Sequence, residues 1–135
     1  MEQAEMDSRE TDLINGELTE LVIGIFYAVY NELGPGFLES VYVNALVIAL
    51  DEVGFKVETE VPLAVHFRNR VVGQFRADML VDDTLIIEVK AAQQLARAHE
   101  VQLVNYLRAT GIQVGLLLNF GPRAEIRRRI CKSIA

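Results

Sequence analysis

Three charged side chains stand where an apolar strand would not carry them. Leu85-Ile86-Ile87-Glu88-Val89-Lys90 is β-branched and apolar, the composition of a buried central strand, yet it holds a carboxylate and an ammonium. Residues two apart on a strand share a face, so Glu88 and Lys90 point the same way. Asp78 lies ten residues before Glu88, across an Asp82-Asp83 turn. Burying an ionised group without a partner costs several kcal/mol, so these three groups must face a cleft, a cation or one another. Two carboxylates and a lysine converging at a strand end make a divalent-metal site, with a cation placed to handle a water or a phosphate. The plainer reading of the same letters is a solvated turn beside a strand-end salt bridge.

The hairpin that must position them carries a geometric condition. With a two-residue Asp82-Asp83 loop, Val81 pairs with Thr84, and Asp78 falls opposite Ile87 on the wrong face. With a loop of residues 82 to 84, Val81 pairs with Leu85, and Asp78 lands opposite Glu88 on the same face. A shared site therefore requires the three-residue loop or an equivalent bulge.

The other elements read as follows. Glu17 to Leu33 has apolar residues at three- and four-residue steps and predicts a helix, stopped by Gly34-Pro35-Gly36. A second helix runs from about Leu38 to Val53, apolar on most sides and so packed over much of its circumference. Glu39 stands in its first turn, where an acid is favoured by the helix dipole, and Tyr42 lies three residues on along the same face. Phe55 to Phe67 reads as a strand in which Pro62 marks an edge position or a bend. Val71 to Val81 returns as a second strand, with Gly73 a bulge candidate, and Thr84 to Lys90 completes a meander. A helix over about Ala96 to Thr110 puts His99, Gln102 and Tyr106 on one face, by plain reading a half-buried polar stripe. Val114 to Asn119 is an apolar strand for a sheet covered on both faces. Ala124 to Ile130 forms a last strand or short helix. Residues 1–15 are polar and aperiodic and predict a frayed tail, leaving 16–135 as one domain.

Asp78-x9-Glu88-x-Lys90 resembles the signature of the PD-(D/E)xK nuclease superfamily, with Ala77 in place of the proline. Gly36-x-x-Glu39-x-x-Tyr42, directly after Leu-Gly-Pro, resembles the motif that names the GxxExxY family within that superfamily. His99-x-x-Gln102-Leu103-x-Asn105-Tyr106-Leu107 resembles the same family's next block. Glu88 to Ala91, Ala109 to Gly111 and Leu117 to Gly121 extend the likeness to nearly the whole chain. The resemblance implies a restriction-endonuclease-like α/β fold with an αβββαβ core, its mixed four-stranded sheet flanked by helices. It implies Mg²⁺ or Mn²⁺ held by Asp78, Glu88 and the Val89 carbonyl, with Glu39 as a further ligand, direct or through a water. Lys90 would orient the attacking water and offset phosphate charge, and Gln102 and Tyr106 would position water or phosphate. The implied reaction is hydrolysis of phosphodiester bonds, with DNA as partner. A nuclease fold kept as a silent binding or regulatory module stays open, as does another phosphate substrate.

Bulk properties bound these readings. At 135 residues with 51% hydrophobic content the chain can form a core without disulfides or structural metal. Cys131 is the only cysteine, which excludes an intrachain disulfide and a cysteine-based cluster and fits a reducing cytoplasm. No apolar run is long enough to span a bilayer. Residues 1–60 carry 13 acidic and 2 basic side chains, whereas residues 61–135 carry 6 acidic and 11 basic ones. That asymmetry points to a one-sided polyanion surface on the half holding the hairpin. So short a chain has no room for a separate DNA-binding domain, and the apolar helices at 17–53 predict a homodimer.

Overall fold

The computed structural model describes residues 15–132. The frayed tail expected over residues 1–15 therefore lies almost wholly outside the described residues. Helix α1 spans Gly16–Leu33 and buries Thr19, Val22, Phe26 and Val29, one stripe at helical spacing. Gly34 ends it with φ 70 and an N–H donated to the Tyr30 carbonyl, and Pro35 blocks continuation. Helix α2 spans Glu39–Glu52 and buries Tyr42, Leu46 and Leu50. It is packed over much of its circumference, as its composition suggests, with Ile48, 62% exposed, on the open side. The stripe at four-residue spacing is the packed seam, and half-buried neighbours flank it.

Five strands follow: β1 (Val57–Phe67), β2 (Arg70–Val81), β3 (Leu85–Lys90), β4 (Val114–Phe120) and β5 (Ala124–Ile130), with helix α3 (Arg97–Thr110) between β3 and β4. The sheet order is β1-β2-β3-β4-β5. The β3–β4 pair is parallel and the other pairs are antiparallel, so the sheet is mixed, and α3 is the crossover that a parallel pair requires. The segment read as strand or short helix is a strand, and it makes the sheet five-stranded rather than four-stranded. Strands β3 and β4 are buried almost throughout, as befits a sheet centre covered on both faces. Leu85, Ile87 and Val89 pack with α1 and α2, and Ile86 packs with Leu103, Tyr106 and Leu107 of α3. Gly115 permits the close seating of α3, because a Cβ there would come within 2.7 Å of Leu103 Cδ1.

Pro62 lies on β1, an edge strand, where a missing N–H costs least. The register of the β1–β2 ribbon jumps from Val65↔Gly73 to His66↔Val71, so the bulged residue is Val72, beside the expected Gly73. No helix among the described residues is long and apolar enough to cross a membrane.

Candidate active site

The loop between β2 and β3 is the three-residue one. Val81 pairs with Leu85, Leu80 with Ile86 and Met79 with Ile87. Asp82 and Asp83 take φ values of 51° and 61°, a left-handed conformation that short polar side chains tolerate. Lys56 anchors the turn: its N–H donates to Asp82 Oδ1 at 2.9 Å and its ammonium reaches Asp83 at 3.1 Å.

The β2–β3 ladder stops after Met79↔Ile87, and side chains take over at the next rung. Asp78 N–H donates to Glu88 Oε2 at 2.8 Å, and Val89 N–H donates to Asp78 Oδ2 at 2.8 Å. Each carboxylate thus replaces a ladder acceptor on the opposite strand. Strand β2 changes face here. Ala77 packs with the α3 cluster and Met79, two residues on, with the α1–α2 cluster, although a regular strand would put both on one face. Across from this point, on β1, Glu60 has φ 51 between the pairs Thr59↔Met79 and Val61↔Ala77. The irregularity lets the strands part and brings the two acids together.

Glu88 is 4% exposed. Burial, and then the charge of Asp78, push its carboxyl up to about 7, against the favourable pull of Asp78 N–H and Lys90. Burial raises Asp78 as well, outweighing the Val89 N–H and Lys90. Lys90 is half-buried, shares the even-numbered face of β3 with Glu88, and makes no ion pair within 4.0 Å among the described residues. Its effect on the acids is through space.

Glu39 sits at the exposed start of α2 and accepts a long hydrogen bond from Ala91 N–H at 3.4 Å. It adds a small repulsion at both Asp78 and Glu88. With Asp78 it lines a cavity of about 300 Å³ that also involves Ser40, Asn44, Thr59 and Glu60. Tyr42 belongs to the core. Its ring stacks on Phe120 with centroids 4.2 Å apart. Its hydroxyl donates to the Gly34 carbonyl at 2.6 Å and accepts from Phe37 N–H at 3.1 Å. Gly36, at φ +113, supplies the conformation that the intervening turn needs. The Gly-x-x-Glu-x-x-Tyr spacing is therefore a clamp that fixes the turn entering α2 and so the position of Glu39.

On α3, Gln102 is half-buried and Tyr106 buried. Both line a groove of about 830 Å³ between α3 and the β1–β2 ribbon, with His66, Phe75 and Arg108. Burial raises the Tyr106 phenol, and the charges of Glu88 and Asp78 raise it further, so its ring lies within their field. His99 caps α3 instead of facing the acids. Its Nδ1 accepts Ala96 N–H at 3.0 Å, and its own N–H donates to the Ala96 carbonyl.

The fit to a hard divalent cation rests on the donors. Asp78 and Glu88 offer only oxygens, each has one oxygen that takes no hydrogen bond among the described residues, and Lys90 and the backbone N–H groups only partly offset burial and mutual repulsion. Val89 directs its N–H at Asp78, and a strand residue sends its carbonyl to the same neighbour, so the Val89 carbonyl faces this gap too. Among the described residues no three His, Cys, Asp or Glu side chains close on one point. Glu39 is therefore not seated as a third direct carboxylate beside the pair.

Four residues that frame the site have no chemistry to announce them in sequence. Asn119, fully buried, accepts Ala92 N–H at 2.8 Å and donates to the Ala92 carbonyl at 3.0 Å and to Glu125 Oε1 at 2.9 Å. Glu125 also accepts Leu95 N–H; the Asn119 amide, then Leu95 N–H and Arg127, hold its carboxyl below the usual range. Gly121 leaves room for Ala92, whose carbonyl would stand 2.1 Å from an added Cβ. Together they pin the loop leaving Lys90. Glu100 on α3 receives Arg127 and Arg129 of β5. Those arginines, counted as surface charge in the sequence, are internal ties.

A family model for the PD-(D/E)XK nuclease superfamily matches residues 16–130, and the chain belongs to that superfamily. No curated protein matches it. Among solved structures it is similar to that titled "Crystal structure of SSO0001", with 23% sequence identity and a TM-score of 0.56. The alignment covers 90% of this chain and 60% of that one, so this chain spans less than two thirds of the other's length. At that identity the likeness concerns the fold. Members of the PD-(D/E)XK superfamily typically use a divalent metal.

Proposed function

We propose that the chain is a Mg²⁺- or Mn²⁺-dependent nuclease hydrolysing phosphodiester bonds in DNA, and within the superfamily a GxxExxY protein. The observation that carries the reading is the reciprocal exchange at the end of the β2–β3 ladder. It holds a buried carboxylate, Glu88, and a half-buried one, Asp78, against each other, with Lys90 acting on both through space. Asp78, Glu88 and the Val89 carbonyl would hold the metal, with Glu39 reaching it through water from the neighbouring cavity. A bound divalent cation supplies a water of lowered pKa and positive charge for the phosphate oxygens. Lys90, fixed on the Glu88 face, orients the attacking water and offsets charge on the phosphate. Tyr106 and Gln102 present a hydroxyl and an amide from α3 to hold water or phosphate in line. The test is cleavage of linear, flapped, branched and single-stranded DNA with Mn²⁺ by wild type and by Glu88→Gln.

The reading keeps the homodimer expected from the helices, paired through the exposed Leu21 and Tyr27 of α1 and Ile48 of α2. Sedimentation at micromolar concentration checks it, and a monomeric mass refutes it.

A further inference from the structure

The β1–β2 ribbon extends past the sheet. Strand β2 pairs with β3 only over residues 79 to 81, whereas it stays paired with β1 out to Phe67↔Arg70. From the Val61↔Ala77 rung to that last rung the ribbon reaches roughly 20 Å. Its inner part rests on α3 through Leu63 and Phe75. From His66 to Val72 every residue is exposed. The tip turn holds Arg68 at φ 51 and Asn69 at φ 64, the two left-handed residues of a tight hairpin turn.

The tip's chemistry is set apart from the rest of the chain. Residues 61–77 contain Arg68, Arg70, Arg76 and His66 and not one acid, in a chain of net charge −6. Arg76 shares its charge with Glu60, 3.9 Å away. Arg68 lies over the Phe67 ring at 4.8 Å, and neither Arg68 nor Arg70 has an acidic partner within 4.0 Å among the described residues. Phe67, Val71 and Val72 are 58%, 50% and 63% exposed. A core would hide such side chains, and a protein partner of like apolar character would not call for arginines unmixed with acids.

We propose that the tip of the β1–β2 ribbon enters the major groove of B-form duplex DNA flanking the phosphate held at Asp78 and Glu88. This rests on the nuclease reading for the location of that phosphate, while the ribbon's own binding does not depend on turnover. A B-form major groove, about 12 Å wide, admits a two-stranded ribbon, whereas the deep, narrow major groove of A-form RNA does not. Arg68 and Arg70 meet phosphates or guanine edges, and Phe67, Val71 and Val72 meet thymine methyl groups. Because Asp78 stands at the ribbon's base, the tip reads about six base pairs away from the bond to be cut, at about 3.4 Å per step.

The test is fluorescence-anisotropy titration of a 25-base-pair DNA duplex, the matching RNA duplex and the single DNA strand, across a salt series. It compares Lys90→Ala, which leaves substrate uncut, with Lys90→Ala carrying Arg68→Ala and Arg70→Ala. Removal of two phosphate contacts lowers the salt slope for duplex DNA by about 1.8 and weakens binding on the order of tenfold at 0.1 M salt. Single-strand affinity changes much less, and the RNA duplex binds more weakly than DNA before any arm substitution. Thermal unfolding and sedimentation accompany each variant. Phe67→Ser with Val72→Ser gives an independent loss of duplex affinity at an unchanged salt slope. Equal duplex affinity and slope with and without the arginines overturns the proposal, as does an equal loss on single strands or failure to bind any duplex. A fall in mass on arm substitution, marking a self-association surface, overturns it too. If the ribbon variants lose duplex binding but wild type cleaves nothing, the nuclease reading fails and this one stands.

Discussion

At the scale of the residue, one carboxyl group decides the character of the site. Glu88 is nearly inaccessible and its carboxyl is raised to about 7, whereas in the unfolded chain it titrates near the ordinary glutamate value of about 4.3. Between those values the folded chain holds a proton that the unfolded chain has lost. Stability from this group is therefore full below the unfolded value and lost as pH rises through about 7. Asp78 moves in the same direction and adds to the trend. The full loss for Glu88 is roughly 4 kcal/mol, of which about 3 kcal/mol falls between pH 5 and pH 8. Glu88→Gln keeps the acceptor for Asp78 N–H and removes the charge. Its stability relative to wild type, from urea unfolding without metal, should improve by about that amount between pH 5 and pH 8. A difference that stays constant over this range would show that Glu88 is an ordinary surface acid. The approach of Asp78 to Glu88 was legible in the sequence because charge in an apolar strand is conspicuous. The roles of His99 and Asn119 were not, since a histidine that caps and an asparagine that pins a loop leave no periodic trace.

At the scale of the element, turns set the geometry more than strands do. The hairpin register followed from the spacing of Asp78 and Glu88 once the loop was taken as residues 82 to 84, because a one-residue slip would invert every side chain. The change of face at Asp78 was not legible: it depends on Glu60 of another strand, well away in sequence, adopting φ 51. Tyr42 shows the same dependence on tertiary context. Sequence placed it on the Glu39 face, and packing makes it a clamp on the preceding turn. Tyr42→Phe retains the stack on Phe120 and loses both hydroxyl hydrogen bonds. It should cost about 1–2 kcal/mol, or a fall in Tm of roughly 3–8 °C, while leaving cleavage by the folded protein near wild type. Abolished cleavage at an unchanged Tm would instead place the hydroxyl among the reacting groups.

At the scale of the whole molecule, the element order was legible because most helices and strands have their own apolar period, whereas the mixed sheet was implied by the resemblance to the superfamily. The fifth strand was the ambiguous one. Ala124 to Ile130 mixes apolar and charged residues around three consecutive arginines, and it is Glu100, across the fold on α3, that ties Arg127 and Arg129 into a half-buried strand. The same ties correct the charge map, drawing Arg127 and Arg129 inward and leaving Arg68 and Arg70 as the outward cations of the ribbon. Acidic helices on one side and a basic ribbon on the other would, on the proposed function, orient a polyanion toward the end of the sheet where Asp78 and Glu88 meet. The central claim is that this end cleaves DNA with a divalent cation. The most direct measurement is the product of Mn²⁺-supplemented reactions on the DNA panel, with wild type, Glu88→Gln and Lys90→Ala at equal folded concentration. The account predicts cleavage by wild type to 5′-phosphate ends, none by either variant, and a metal-induced rise in Tm that survives Lys90→Ala but not Glu88→Gln. Cleavage by Glu88→Gln at the wild-type rate, or no cleavage of any DNA by wild type, would contradict it.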